Sequence, residues 1–305
     1  TLQEGAPRIA LRGFVKILNR GETSADDIEI RTQYLELDPE QFIAETEDRV
    51  QIRFGTRSVT APGMLASLND NRIELKSNVR GKIVPQSMAK VTQILVCLLA
   101  LASVPAGARA QVVDLDQLPW TLDSETAVFD GKTSTYIYTG LRFSQGNISI
   151  ESDEGRGTNG TENNRQYTFS GNVIITVNNG RIECDTADLY FTGSTLSSAV
   201  VSGSPAIYEL KRETADDMTR AEAGRLRYDV VAGVIEFSDD ASITEGGNQI
   251  SSNYLLYNIN ERRIKADSAG TEEDRVRIQY TPTTEEMEAL EDVENPDALE
   301  DSENQ

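Results

Sequence analysis

The side chains that carry most enzyme chemistry are scarce in this chain. Its 305 residues include no histidine and two cysteines, Cys97 and Cys184. Histidine is the commonest general base, a frequent metal ligand and the usual partner of a serine or cysteine nucleophile. Cys97 lies in an apolar segment outside any predicted fold, so we expect no disulfide, and Cys184 reads as a small buried apolar residue. We therefore expect no catalytic residue, no metal and no cofactor.

Carboxylates are abundant, with 50 Asp and Glu against 29 Lys and Arg and a net charge of -21. Phosphate binding needs clustered basic residues, so this balance excludes a nucleic-acid partner. A carbohydrate-active enzyme needs two carboxylates facing each other across a cleft, and no pair is singled out by its spacing. Asp239-Asp240 lacks the spaced oxygen ligands of a calcium loop. These acids indicate turns and solvated surface.

Two further segments look polar and irregular. Gly155–Gly160 has the letters of a dinucleotide-binding loop, but no helical pattern follows it, and we predict a flexible loop over residues 152–165. The stretch from Thr284 to Gln305 is rich in Glu and Asp and has no Lys or Arg. We predict a disordered acidic tail over residues 282–305, with an acidic docking tail as the alternative.

A secretory signal stands in the middle of the chain. Met88-Ala89-Lys90 is followed by an apolar run from Val91 to Val104, and Ala108-Arg109-Ala110 supplies a cleavage site before Gln111. A membrane helix is the alternative, but the run is shorter than the roughly 20 residues a bilayer needs. Because the signal has its own methionine, we interpret the chain as two adjacent reading frames joined together, with residues 1–87 ending one protein and residues from 111 forming a second, exported one.

Outside this segment, short runs of alternating apolar residues predict half-buried strands and an all-β fold. Thr168–Val177, the turn Asn178-Asn179-Gly180 and Arg181–Asp185 form a predicted hairpin, because Asn and Gly tolerate the positive φ of such turns. A degenerate motif recurs around Gly140, Gly171, Gly203 and Asp239, and each repeat predicts a strand pair. A single pair cannot bury its apolar face, so stacked copies must share one interior. Residues 32–38, 50–55 and 72–79 show the same pattern.

These repeats carry a resemblance to known families. Ser170-Gly171-Asn172-Val173, with Gly180, Ile182, Asp185 and Ala187, is similar to the signature of LptA, the OstA-like family of lipopolysaccharide export, over about residues 112–281. Ser58–Leu68, followed by Ile73-Glu74-Leu75 and Asn78-Val79-Arg80-Gly81, resembles the carboxy-terminal half of LptC over about residues 11–84. The order of the two pieces matches two neighbouring components of one export system.

The resemblance implies two open, twisted β-jellyroll modules, over residues 1–87 and 111–281, joined by the signal-like segment 88–110. We expect the amino-terminal part of the LptC-like module, with the membrane helix of that family, to be missing. The resemblance also implies a periplasmic location, inner-membrane association of the LptC-like part, and an interior groove for lipopolysaccharide acyl chains. Its partners would be other Lpt components and further copies of the chain, joined head to tail by strand pairing.

The alternation of apolar and polar residues along the strands predicts which side chains line that groove. A carrier of acyl chains needs a continuous apolar surface and little chemistry, because each methylene removed from water gains about 0.8 kcal/mol. The same side chains could instead pack only against one another, as in a β-solenoid adhesin, which is the alternative function. The nominated residues are Phe143, Ile148, Ile150, Phe169, Val173, Ile175, Ile182, Leu189, Leu226, Tyr228, Ile235, Phe237, Ile243 and Ile250.

Overall fold

A computed structural model describes residues 8–19, 28–54, 57–83, 119–159, 164–177, 179–192, 195–211, 218–245, 247–258, 261, 263–267 and 275–281. The signal-like segment 88–110 and the acidic tail 282–305 lie outside the described residues. The part that is described forms one antiparallel sheet of twenty strands. The strands are β1 (Ile9–Asn19), β2 (Ile28–Asp38), β3 (Ile43–Thr46), β4 (Val50–Phe54), β5 (Arg57–Ala61), β6 (Met64–Ser67), β7 (Arg72–Leu75), β8 (Val79–Ile83), β9 (Trp120–Ser124), β10 (Thr126–Asp130), β11 (Thr135–Gln145), β12 (Ile148–Asn159), β13 (Asn164–Val177), β14 (Gly180–Thr192), β15 (Thr195–Lys211), β16 (Met218–Asp229), β17 (Val234–Glu245), β18 (Asn248–Asn258), β19 (Arg263–Asp267) and β20 (Arg277–Gln279).

The prediction of an all-β fold is confirmed, since the described residues contain strands and no helix. None of them forms a helix long and apolar enough to cross a bilayer. The predicted hairpin is also present, because β13 pairs with β14 and Val177 stands opposite Gly180.

Most long strands bend at their midpoint. The register of β13 against β14 shifts between Ser170 and Val173, and similar shifts interrupt the neighbouring ladders. Several residues at these shifts have positive φ, among them Gly171 at 74° and Asp239 at 66°. Bulges of this kind sharpen the local bend of a strand. The recurring motif of the sequence therefore marks the place where each strand turns a corner.

The corner divides the sheet into two layers. Strand pairing defines layer 1 as residues 9–12, 34–38, 43–46, 64–67, 72–75, 126–130, 135–139, 154–159, 164–170, 186–192, 195–202, 225–229, 234–238, 254–258 and 263–267. Layer 2 consists of residues 15–19, 28–32, 50–54, 57–61, 79–83, 120–124, 141–145, 148–151, 173–177, 180–183, 206–211, 218–223, 241–245, 248–252 and 277–279.

The two predicted modules are continuous with each other in both layers. In layer 1, β7 pairs with β10, so that Leu75 stands opposite Ala127. In layer 2, β8 pairs with β9, so that Gly81 stands opposite Leu122. Residues up to 83 and residues from 119 onward thus share one sheet, and the segment between them connects two strands that are already neighbours.

The prediction of a loop over residues 152–165 is wrong for its described part. Strand β12 continues to Asn159, and β13 begins at Asn164. Gly155 and Gly157 of β12 leave space for the side chains of neighbouring strands. A Cβ on Gly155 would lie 2.2 Å from Leu141 Cδ2, and a Cβ on Gly157 would lie 3.0 Å from the ring of Tyr167. Glycine allows such close approach inside a strand.

Candidate functional site

Two uninterrupted rows of apolar residues cross the inner faces of the sheet. Along each row, every residue stands directly opposite the next one on the neighbouring strand, and neither row contains a charged or amide side chain. The first row, in layer 1, is Ile9, Leu37, Ala44, Ala66, Ile73, Phe129, Tyr136, Gly157, Tyr167, Leu189, Ala199, Tyr228, Ile235, Tyr257 and Ile264.

The second row lies in layer 2 and is still richer in aliphatic residues. Because side chains alternate along a strand, a row can remain on one face only if every strand keeps its register. The second row is Ile17, Ile30, Ile52, Val59, Gly81, Leu122, Phe143, Ile150, Ile175, Ile182, Tyr208, Ala221, Ile243, Ile250 and Ile278.

The structure brings all fourteen nominated residues into one cluster. Twelve of them are buried, and Phe143 and Ile250 are partly buried against the other twelve. Members come from both layers, such as Phe237 from layer 1 and Ile175 from layer 2, so the cluster fills the space between them. Strand alternation missed several members, including Trp120, Leu141, Val201, Tyr208 and Leu255. Val201 follows the equally apolar Val200, and alternation cannot choose between two such neighbours.

The two layers lie against each other in this structure. Phe237 and Ile148 are each 1% exposed, and Val173 is 1% exposed. The residues nominated as a groove lining are therefore packed together here, with no open channel through their cluster. A cargo between the layers would need the layers to move apart.

Most polar side-chain contacts of the described residues join neighbours within one layer, and near the corner the Ser252 hydroxyl donates to the Asp267 carbonyl of the other layer at 2.8 Å. Arg220 pairs with Glu209 and Glu222 on the outer surface of layer 2. In layer 1, the Thr168 hydroxyl lies 2.7 Å from a carboxylate oxygen of Asp188, to which it donates. Hydrogen bonds of the strand ladders likewise join neighbours of one layer. What the layers share across the interior is apolar side-chain packing.

Burial keeps the Cys184 thiol and the Tyr208 phenol neutral in the described part of the interior. Burial raises the pKa of the Cys184 thiol to about 12, so the thiol is neutral at physiological pH and is a poor nucleophile. Burial also raises the pKa of Tyr208. The described residues contain no group of His, Cys, Asp and Glu side chains that could hold a metal ion. The reading of Cys184 as a buried apolar residue is confirmed by its exposure of 8%.

A polar depression on the outer surface holds paired charges. Arg8 Nη1 lies 2.8 Å from Glu36 Oε1 and 3.1 Å from Glu45 Oε1, and Arg8 Nε lies 3.4 Å from Asp38 Oδ2. The hydrogen bond from Arg8 holds the pKa of Glu36 below its usual value. The three carboxylates share one guanidinium, which is a structural arrangement.

The apolar rows reach the two edges of the sheet. Ile9 and Leu11 on edge strand β1 are 49% and 39% exposed, and at the other end Ile264 and Ile278 are 40% and 76% exposed. An edge strand also presents unpaired backbone groups that another strand can join. Among the described strands, both ends of the sheet thus expose apolar row ends beside backbone groups that no other described strand pairs with.

Two family models match the chain. Residues 1–84 match the model described as "Lipopolysaccharide-assembly, LptC-related", and residues 154–263 match "LptA/(LptD N-terminal domain) LPS transport protein". The chain joins an LptC-related part to an LptA-like part. The resemblance predicted from Ser58–Gly81 and from Ser170–Ala187 is thereby confirmed, and both families belong to lipopolysaccharide transport.

One similar solved structure is entitled "Crystal structure of LptH, the LptA homologous periplasmic component of the conserved lipopolysaccharide transport device from Pseudomonas aeruginosa". It is 19% identical over 44% of this chain and 95% of that chain, with a TM-score of 0.38. No curated protein sequence matches the chain. In the continuous sheet, β8 belongs to the LptC-related part and β9, its neighbour, to the following part.

Proposed function

We propose that the chain carries lipopolysaccharide through the periplasm by sheltering its acyl chains between the two layers, as part of the bridge between the inner and outer membranes. The observation that supports this proposal best is the pair of apolar rows, which run from one edge of the sheet to the other without a charged residue. A protein core needs no such continuity from edge to edge, whereas a path for acyl chains does. The LptC-related part would lie on the inner-membrane side.

Loading of cargo requires the layers to separate about the corner. The ladder hydrogen bonds lie within each layer, so this movement breaks none of them. The cost is the loss of apolar contact across the interior, at roughly 25 cal/mol for each Å² exposed to water. Acyl chains entering the opened space restore apolar contact to the same side chains, with about 0.8 kcal/mol gained for each methylene buried. The exchange needs no catalytic group.

Photo-crosslinking tests whether acyl chains enter this space. Benzoylphenylalanine placed at Ile175 or Phe237, on the inner faces of layers 2 and 1, is expected to capture lipopolysaccharide. The matched controls are Ile174 and Glu236, which adjoin these positions on the same strands and point to the opposite face. Capture at the inner positions alone supports carriage between the layers. Absence of capture at both inner positions, or equal capture at the controls, would refute it and favour a structural protein such as an adhesin.

We also propose that the two exposed edges join the chain to other Lpt components, and to further copies of itself, by head-to-tail strand pairing. Pairing of the β20 edge with a β1 edge would place Ile278 beside Ile17 and extend the second row across the interface. Such an association can continue without closing into a ring. It would bury apolar side chains that water now reaches.

Substitution of Ile278 by aspartate is expected to weaken self-association, because it places a charge at the end of the apolar row. Sedimentation velocity over a range of concentrations measures the effect, and the variant should stay monomeric at concentrations where the parent forms oligomers. Val231→Asp is the control, since Val231 is 88% exposed and lies away from both edges. If both variants associate like the parent, the interface lies elsewhere.

A further inference from the structure

The apolar interior consists of two clusters that do not merge. The first lies mostly in the LptC-related part, where it includes Leu35, Ile52, Met64 and Val79, and it also contains Ala127 of β10. The second belongs to the LptA-like part and includes the fourteen nominated residues among its buried and partly buried members. Tyr138 is the partly buried residue that packs against both clusters. Tyr138 therefore lies where the two clusters meet.

Small residues explain why the clusters stay separate. In layer 1, the row that contains Tyr138 runs from Leu75 through Ala127 to Tyr138 and then to Gly155. In layer 2, the second row reaches the same boundary at Gly81. The lining is thus thinnest where the two parts meet.

A buried polar group lies at the same boundary. Ser124, the last residue of β9, is 6% exposed, and its hydroxyl has no hydrogen-bond partner among the described residues. An unsatisfied buried hydroxyl costs free energy and weakens an apolar lining. The unpartnered Ser124 hydroxyl and the small residues Ala127 and Gly81 thus leave little apolar side chain at the boundary between the two clusters.

Tyr138 has small neighbours along its row. Its two neighbours in the row, Ala127 and Gly155, have almost no side chain, and Gly155 is covered by Leu141 instead. The Tyr138 hydroxyl has no described hydrogen bond that would fix it, and burial raises its pKa, so it stays neutral. By contrast, Trp120 and Phe143 on the opposite layer are stacked with ring centroids 4.5 Å apart.

We propose that the two clusters form two compartments and that the Tyr138 ring is a partition between them, which acyl chains displace as they pass from the LptC-related part to the LptA-like part. This proposal rests on the proposed function. Tyr138 acts through the size of its ring, and its hydroxyl plays no part. It sets the rate of passage and leaves the capacity of each compartment unchanged.

The test compares capture in the two compartments of the full chain. Benzoylphenylalanine is placed at Ile52, in the first compartment, or at Ile175, in the second, and purified lipopolysaccharide is added. Initial rates of capture are measured in the parent and in Tyr138→Ala, Tyr138→Phe and Tyr138→Trp. The alanine variant is expected to raise the Ile175 rate relative to the Ile52 rate several-fold, the tryptophan variant to lower it, and the phenylalanine variant to match the parent.

Tyr136→Ala is the matched control. Tyr136 lies on the same strand and the same face, and its ring packs on Phe129 with centroids 4.7 Å apart. A loss of packing alone would change the two tyrosine-to-alanine variants alike, and urea unfolding of each variant reports that loss separately. Unchanged relative rates in Tyr138→Ala, with capture at both positions, would overturn the partition and leave carriage standing. No capture at either position in the parent would overturn both proposals.

Discussion

Replacing Phe237 by alanine is expected to lower the free energy of unfolding by about 3–5 kcal/mol, the usual range for a phenylalanine truncated in a packed core. Phe237 is 1% exposed, and it stands between Leu226 and Leu255 on the inner face of layer 1. Truncation removes apolar area from the interior and leaves a cavity that neighbours on two layers cannot easily fill. Equilibrium urea unfolding, followed by circular dichroism, measures the change.

Phe14→Ala is the control for this prediction. Phe14 is 72% exposed, so its truncation should change the free energy of unfolding by less than about 0.5 kcal/mol. The comparison also bears on how the interior works. If the interior stood open, truncation of Phe237 would remove contacts on only one side of the ring. The loss in free energy of unfolding would then be close to that of Phe14→Ala. A large cost would instead mean that cargo has to compete with well-packed side chains, so that loading is driven by many methylenes together.

Strand alternation predicted which residues of the LptA-like part are buried, because short turns set the register of its strands. Ile175 and Ile182 are separated by a short Asn-Gly turn, and such a turn fixes which residues face each other. That register determines which residues of β13 and β14 face the interior. Residues such as Ile235 and Phe237 alternate with polar neighbours, and one buried face is the simplest outcome of that pattern.

The junction between the two parts could not be predicted in this way. Leu75 and Ala127 stand opposite each other although 52 residues separate them in the chain. No turn residue fixes that register; the match of apolar faces across β7 and β10 does. The position of Tyr138 between the two clusters depends on the same long-range pairing, so local sequence patterns could not predict it. Whether the layers close on each other also depends on tertiary packing and not on alternation.

The structural role of each glycine was the hardest feature to predict from the sequence, because glycine has two different roles in this sheet. Gly155 leaves space for Leu141, while Gly171 supplies a backbone conformation that other residues rarely adopt. The sequence shows the same letter in both places. Reading both as signs of turns and loops led to the wrong loop over residues 152–165, although it correctly singled out the repeating motif around Gly171.

Gly171→Ala is expected to destabilise the chain by more than about 1 kcal/mol, because two costs act together. The φ of Gly171 is 74°, a left-handed conformation that costs an L-residue about 1–2 kcal/mol. The added Cβ would also lie 2.5 Å from Asp153 Oδ2 and 2.8 Å from Asp153 Cβ. Urea unfolding of Gly171→Ala measures the sum of the two costs. Gly155→Ala is the comparison that carries a steric cost without a left-handed φ, since its new Cβ would lie 2.2 Å from Leu141 Cδ2 and 3.7 Å from Phe169 Cδ1.

A double-mutant cycle separates the two costs of Gly171→Ala. Asp153→Ala alone loses the 2.8 Å hydrogen bond that the Asn172 side-chain amide donates to Asp153, and should be mildly destabilising. Combined with Gly171→Ala, it leaves in place the backbone cost and the 2.8 Å contact with the Cβ of residue 153, but it removes the contacts with Asp153 Cγ and Oδ2. The double variant should therefore be less destabilised than the sum of the two single variants. Full additivity would mean that the corner relaxes around the new methyl group. A corner that relaxes so readily would be a soft hinge, and the separation of the layers would then be limited by the apolar interior alone.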